Sequence, residues 1–122
     1  MITLLLIDDQ PSVRQGLRMR LELEPDVAIV GEAGDGAAAV DLARQLHPDV
    51  VLMDVKMPVM DGIAAADAIR ALDPHPAVVM LTLHDDVVTR RRCQAAGAAA
   101  FVSKHEAHQS LIPAIRRVAG AA

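Results

Sequence analysis

The sequence predicts a doubly wound α/β domain, in which helices cover both faces of a five-stranded parallel sheet. Five short apolar runs recur along the 122 residues, at 4–7, 27–30, 50–53, 78–81 and 99–102. Each run is continuous rather than alternating, as expected for a strand that is buried on both faces. Segments with helical spacing separate the runs, so the two patterns alternate five times. This alternation predicts parallel strands joined by right-handed crossovers.

Start signals support the predicted helices. Pro11 suits the first turn of the first helix, because its missing N–H would have no partner there. Asp35 and Asp61 each stand before a glycine and an apolar run, and we expect them to cap the second and third helices. Val87 and Val88 begin the apolar pattern of the fourth helix.

The last helix is expected to begin late. Its apolar stripe, from Leu111 to Val118, contains Pro113. Proline deep inside a helix removes one hydrogen bond and clashes with the carbonyl four residues before it. A cap at Ser110 would place the proline in the first turn, where the missing N–H costs little. We therefore expect this helix to begin near Ser110, with residues 105–109 irregular.

Composition and charge exclude several classes of protein. The formal net charge is -4, and an acidic domain lacks the surplus of positive charge that direct binding of nucleic acid requires. The single cysteine, Cys93, cannot form an internal disulfide. The apolar start at 1–7 meets Asp8 and Asp9, and is too short for a signal peptide core or a membrane span. We expect one cytoplasmic domain over residues 1–122, with no membrane partner.

Polar residues stand at the carboxyl ends of four predicted strands: Asp8, Asp9, Asp54, Thr82 and Lys104. Ligands bind at this edge of an open parallel sheet, so we expect these side chains to converge. Crowded carboxylates favour a hard divalent cation such as Mg²⁺ between them. The metal and Lys104 could neutralise a phosphoryl group while a carboxylate attacks it. Asp54 stands alone at the tip of a central strand and is the predicted site of an aspartyl phosphate.

Four segments resemble the receiver domain of two-component response regulators: LLLIDDQPSVRQGLR, VVLMDVKMPVMDG, VVMLTLHDD and GAAAFVSK. The opening segment is most similar to the NarL/FixJ type of transcriptional regulator. The similarity runs from Met1 to about Gly120. It implies a flavodoxin-like (CheY-like) fold with strand order 2-1-3-4-5 and five helices.

The resemblance also implies a phosphorylation site. Asp54 would accept a phosphoryl group from a phosphohistidine of a sensor histidine kinase. The Mg²⁺ cofactor would be held by Asp8, Asp9, Asp54 and the backbone carbonyl of Lys56. The domain would then be a switch and not an enzyme, since it catalyses only its own phosphorylation and the hydrolysis of its own acyl phosphate.

A conformational response is implied as well. Lys104 would pair with the acceptor carboxylate or the phosphoryl oxygens, and Thr82 would swing to bind the phosphoryl group. Phe101 holds the place of the aromatic residue that rotates inward when that hydroxyl moves. The altered surface would be read by a second copy of the domain, or by a downstream output domain or protein.

Three interpretations remain open. NarL/FixJ-type regulators continue into a DNA-binding domain, whereas this sequence stops at Ala122, so we expect either part of a longer transcription regulator or a stand-alone receiver. A pseudo-receiver would keep the fold and respond to partner binding alone. A phosphohydrolase of small phosphate esters would use the same chemistry, but the short chain offers no residues for a substrate pocket.

Two features lie outside the cluster of strand-end residues. His84 follows Thr82 by two positions and is a candidate for the rim of the site. The arginine run at 90–92 is expected to be a solvated helix face, with a docking patch as the alternative.

Overall fold

The computed structural model describes residues 1–83 and 85–120, so the predicted role of His84 lies outside the described residues. Strands and helices alternate as predicted: β1 (Ile2–Ile7), α1 (Pro11–Glu22), β2 (Val27–Ala33), α2 (Gly36–Leu46), β3 (Val50–Asp54), α3 (Gly62–Arg70), β4 (Ala77–Thr82), α4 (Val87–Ala95), β5 (Ala100–Ser103) and α5 (Ala107–Gly120).

The five strands form one parallel sheet in the order β2-β1-β3-β4-β5. This order confirms the 2-1-3-4-5 topology that the resemblance implied. Strand β3 lies at the centre, and all five of its residues are buried. The chain reverses its direction of winding next to β1, and this reversal opens a crevice at the carboxyl ends of β1 and β3.

Two apolar cores lie on opposite faces of the sheet. Side chains alternate along a strand, so Leu4 and Leu6 of β1 pack into the core beneath α1 and α5. Leu5 and Ile7 point the other way, into the core beneath α2, α3 and α4. All four are at most 1% exposed. Burial on both faces explains why the strands are continuous apolar runs in the sequence.

The predicted start signals of three helices are confirmed. Pro11 occupies the first turn of α1. The carboxylate of Asp35 accepts a hydrogen bond from the Ala38 N–H at 2.9 Å, and that of Asp61 accepts one from the Ala64 N–H at 2.8 Å. Each cap satisfies one of the backbone donors that a helix leaves unpaired at its start.

The predicted start of the last helix was wrong. Helix α5 begins at Ala107, and the Ser110 N–H donates to the Glu106 carbonyl at 2.9 Å, so Ser110 lies inside the first turn. Pro113 is therefore an interior residue. Both Pro113 and Gln109, whose carbonyl loses its donor, lie on the exposed side, where water can replace the lost bond. Burial of the opposite apolar stripe stabilises the longer helix.

Helix α4 exposes most of its residues, apolar as well as charged. Val87 and Val88 are 63% and 67% exposed, although the sequence pattern assigned them to an apolar face. Cys93 is fully buried instead. The arginines at 90–92 are exposed, in agreement with the expected solvated face. No helix within residues 1–83 and 85–120 has the length and apolar character needed to cross a bilayer.

Candidate functional site

Strand ends place the predicted site residues at one edge of the sheet. Asp8 and Asp9 follow β1 directly, and Asp54 is the last residue of β3. Thr82 ends β4, and Lys104 follows the last residue of β5. Because β1, β3, β4 and β5 are adjacent and parallel, their carboxyl ends lie side by side. The expected convergence of these residues on one edge follows from the topology.

Lys104 joins two of the carboxylates. Its Nζ atom lies 3.2 Å from Oδ2 of Asp8 and 3.2 Å from Oδ2 of Asp54. The side chains of Asp8 and Asp54 are only 1% and 11% exposed, so both charges are largely withdrawn from water. A buried carboxylate needs a charged or hydrogen-bonding partner, and one ammonium group supplies it for both.

Three carboxylates form an acidic cluster. One oxygen from each of Asp8, Asp9 and Asp54 lies within 4.8 Å of the others. The Gln10 N–H donates to Oδ1 of Asp8 at 3.0 Å and helps to fix that side chain. Hard divalent cations prefer oxygen ligands, and this donor set contains only oxygens. The cluster can therefore hold a divalent cation. Lys56, whose backbone carbonyl was predicted to be a further ligand, lies two residues beyond Asp54, and its side chain is exposed.

The site shifts the pKa values of its two central groups. Burial raises the pKa of Asp54 above its usual value and the Asp8 charge adds to this rise, while the Lys104 ammonium opposes it. Burial alone would lower the pKa of Lys104, but the charges of Asp54 and Asp8 and its hydrogen bonds to them outweigh burial and raise it. The lysine is therefore a permanent cation near neutral pH, beside a carboxylate of increased basicity.

Thr82 borders the cluster from β4. It is 1% exposed, and it pairs in register with Ser103 of β5, which is also buried. The Lys104 N–H donates to the Thr82 carbonyl at 2.8 Å. This bond ties the backbone of the threonine to the residue that contacts both buried carboxylates. Ser103 was not singled out from the sequence, because a serine at a strand end is common.

Phe101 lies partly buried on β5, and β4 separates this strand from β3, whose end carries Asp54 of the acidic cluster. The guanidinium of Arg90 lies over its ring, 4.7 Å from the centroid. Arg90 also donates to Oδ1 of Asp85 at 2.6 Å, so it connects α4 both to the β4–α4 loop and to β5. Sequence analysis expected the arginine run to be a solvated helix face, with a docking patch as the alternative, because spacing alone cannot show that a flexible arginine covers the Phe101 ring.

Gly62 is another residue whose role sequence analysis missed. Its N–H donates to the Val55 carbonyl at 2.7 Å. A Cβ atom built there would lie 2.1 Å from the carbonyl oxygen of Asp54 and 2.8 Å from Cε of Met80. Only glycine allows α3 to approach the tip of β3 so closely. The available signal was the glycine at the end of the VVLMDVKMPVMDG segment.

Comparison with known proteins decides the family. The profile described as response regulator receiver domain matches residues 4–116. The chain belongs to the response regulator receiver family. The transcriptional regulatory protein LiaR of Bacillus subtilis is 41% identical over 116 residues, which are 95% of this chain and 55% of LiaR. The receiver therefore spans about half the length of that relative.

Other similar proteins differ in what surrounds the receiver. A protein-glutamate methylesterase/protein-glutamine glutaminase of Methanosarcina mazei is 40% identical over 91% of this chain, but only 31% of its own length is matched. The receiver domain of NarL from Mycobacterium tuberculosis superimposes with a TM-score of 0.93 at 34% identity, covering 99% of this chain and 98% of that one. The fold and the NarL-type receiver resemblance are thus confirmed.

Proposed function

We propose that this receiver accepts a phosphoryl group on Asp54 from a phosphohistidine of a sensor histidine kinase. The carrying observation is the contact of Lys104 with both Asp54 and Asp8 inside a cluster of oxygen ligands. In this arrangement the nucleophile, Asp54, lies beside a fixed cation, the Lys104 ammonium. That cation can offset the negative charge that a dianionic phosphoryl group would bring to the site. The receiver is proposed to comprise residues 1–122.

Mg²⁺ is the cofactor that this donor set fits best within the proposed reaction. Asp8, Asp9, Asp54 and the backbone carbonyl of Lys56 would hold it, and water would complete its shell. When bound, Mg²⁺ would supply positive charge to the phosphoryl oxygens during transfer. Two of these metal ligands, the carboxylates of Asp8 and Asp54, are already held in place by their hydrogen bonds to Lys104.

Phosphoryl transfer at this site needs few protein groups. One carboxylate oxygen of Asp54 forms a bond to phosphorus, and the bond from phosphorus to the donor nitrogen breaks with its electron pair leaving on the imidazole. The product is an acyl phosphate. Burial raises the pKa of Asp54, and Lys104 holds its carboxylate at 3.2 Å. Lys104 remains protonated and faces the new charge.

The switch follows from the change in charge. A phosphoryl group on Asp54 competes for Lys104, and the hydroxyl of the adjacent Thr82 would reorient to bind it. Movement of Thr82 would open space for Phe101 to rotate inward and alter the surface near α4 and β5. A second copy of the receiver, or an output domain or protein, would read that surface in the cytoplasm.

Control of transcription is the output that we infer. The regulator LiaR is similar to this chain over half of its own length, and the resemblance is to the NarL/FixJ type. The methylesterase relative shows that similar receivers also occur in proteins of another activity. The receiver is therefore proposed to provide the phosphorylation switch, with DNA contacted by a separate domain rather than by this acidic one.

Intact-mass measurement tests the proposed function. The wild type, Asp54→Asn and the control Asp41→Asn, an exposed aspartate of α2, are incubated with acetyl phosphate and Mg²⁺. We expect one added phosphoryl group in the wild type and the control, and none in Asp54→Asn or in the presence of a chelator. An adduct that persists in Asp54→Asn would contradict the assignment.

Two further outcomes separate the alternatives. Sustained turnover of phosphate esters without a stable adduct would favour a phosphohydrolase. No adduct, together with no binding of beryllofluoride, would favour a pseudo-receiver whose state is set by a partner alone.

A further inference from the structure

Arg14 reaches from α1 to the backbone of the acidic cluster. Its Nη1 atom donates to the carbonyl oxygen of Asp8 at 2.5 Å, and its Nε atom lies 3.7 Å from Oε1 of Glu32. The Arg14 side chain is 22% exposed. Arg18, one turn further along the same helix, also forms an ion pair with Glu32 but makes no hydrogen bond or ion pair with Asp8 among the described residues. The two arginines therefore share one acidic partner and differ in the backbone contact.

The carbonyl that Arg14 binds belongs to the peptide unit between Asp8 and Asp9. The side chain of Asp8 is fixed independently, by Lys104 and by the Gln10 N–H. In contrast, the Asp9 carboxylate is exposed and makes no hydrogen bond or ion pair within residues 1–83 and 85–120. The position of the Asp9 carboxylate thus depends on its backbone, and the contact from Arg14 restrains that backbone.

We propose that Arg14 is a positioning residue for the acidic cluster. By holding the peptide unit between Asp8 and Asp9, it keeps the Asp9 carboxylate within reach of those of Asp8 and Asp54. The inference rests on the proposed function in its metal-binding part, because a restrained Asp9 serves a cation shared by the three carboxylates. Glu32 balances the guanidinium charge and directs it toward the strand end.

The mechanism is local and geometric. Without the guanidinium, the peptide unit loses a charge-assisted hydrogen bond, and Asp9 can move away from its two neighbours of like charge. A bound cation would then have to order Asp9 at the moment of binding. Partners that orient metal ligands commonly contribute ten- to hundredfold in metal affinity, so removal of Arg14 should cost roughly tenfold or more.

Metal affinity provides the first test. Mn²⁺ binding is followed by electron paramagnetic resonance in the wild type, Arg14→Met and the matched control Arg18→Met, with thermal unfolding as the check of folding. Methionine preserves helix propensity. We expect Arg14→Met to weaken Mn²⁺ binding roughly tenfold or more and Arg18→Met to change it less than about twofold. Wild-type affinity in Arg14→Met, or an equal loss in both variants, would overturn the proposal.

A rate measurement separates positioning from a direct role in phosphoryl transfer. The rate of phosphorylation by acetyl phosphate is recorded against Mg²⁺ concentration. Arg14→Met should raise the Mg²⁺ concentration for half-maximal rate by the same factor as its loss of affinity and leave the maximal rate near that of the wild type. A lowered maximal rate with an unchanged Mg²⁺ requirement would contradict positioning.

A measurement on the metal-free protein tests the role of Arg14 independently of the proposed function. In ¹⁵N spectra of the metal-free protein, Arg14→Met should shift the resonance of the Asp9 amide, whose peptide unit carries the carbonyl that Arg14 binds, whereas Arg18→Met should not. An Asp9 resonance in Arg14→Met at the wild-type position would refute the positioning role. Failure of the wild type to bind Mn²⁺ would instead count against the proposed function, and the amide measurement would still decide the role of Arg14.

Discussion

Nζ of Lys104 lies 3.2 Å from Oδ2 of Asp54, although the two residues are 50 positions apart in the chain. The contact spans the carboxyl ends of β3 and β5, with β4 between them. It leaves the candidate phosphoryl acceptor paired with a cation before any phosphoryl group arrives.

Removing the Lys104 ammonium should destabilise the fold. Lys104→Met would leave Asp8 and Asp54 as two largely buried carboxylates without their shared cation. Because the lysine is 17% exposed, the cost should fall between those of surface and buried pairs, at about 2 kcal/mol near neutral pH. Urea unfolding measures it, with Lys56→Met as the exposed control. A loss that is equal in the two variants would show that the buried pairs are not the cause.

Asp54→Asn should stabilise the protein at neutral pH. The folded-state pKa of Asp54 lies above 3.8, mainly because of burial, so the folded state binds more protons than the unfolded state between these two values. The free energy of unfolding contributed by Asp54 therefore falls as pH rises through this window. The amide variant avoids that loss, and its advantage should vanish below pH 3.8. Urea unfolding across this pH range measures the difference in free energy of unfolding between Asp54→Asn and the wild type. An increase of that difference as the pH falls would contradict the account.

Two glycines should respond to alanine in opposite directions. A Cβ at Gly62 would collide with the backbone carbonyl of Asp54, so Gly62→Ala should destabilise the fold by about 2 kcal/mol or more. Gly16 lies exposed within α1 and has nothing within 4 Å of a built Cβ. Gly16→Ala should therefore stabilise by about 0.5–1 kcal/mol. Thermal unfolding of both variants measures the contrast, and a shift of the same sign in both would refute it.

The NMR resonance of a labelled Phe101 ring should change when Arg90 is replaced. Phenylalanine occurs once in the sequence, so labelling with 4-fluorophenylalanine gives a single ¹⁹F resonance. Arg90→Gln removes the cation from the ring face and should shift that resonance, at a stability cost of about 0.5–1 kcal/mol. Arg91→Gln, an exposed neighbour on α4, is the matched control. Spectra of the Arg90 variant that superimpose on those of the wild type would rule out the contact in solution.

Much of the fold could be predicted because each local signal agreed with the next. Asp54 and Thr82 were found as polar residues that end runs of apolar ones, and the parallel topology then brought their strand ends together. Pro113 misled the prediction of α5, since a local helix rule ignored the burial of the opposite face. Val87 was also misplaced, because an apolar residue at helical spacing need not be buried.

The contacts that the sequence did not reveal are made by long side chains. Arg14 contacts Asp8 and Glu32, and Arg90 contacts Asp85 and Phe101. Spacing in the sequence cannot tell which groups such a long, flexible side chain will reach. Gly62 was missed for a different reason: its importance lies in the approach of α3 to the carbonyl of Asp54, a distance that only the folded chain defines.

The position of the phosphoryl group is the most direct test of the central claim. The receiver is phosphorylated with acetyl phosphate and Mg²⁺, reduced with borohydride to convert an aspartyl phosphate to homoserine, digested and sequenced by mass spectrometry. The account predicts homoserine at position 54 and aspartate at positions 8 and 9. Homoserine at 8 or 9, with Asp54 unmodified, would contradict it.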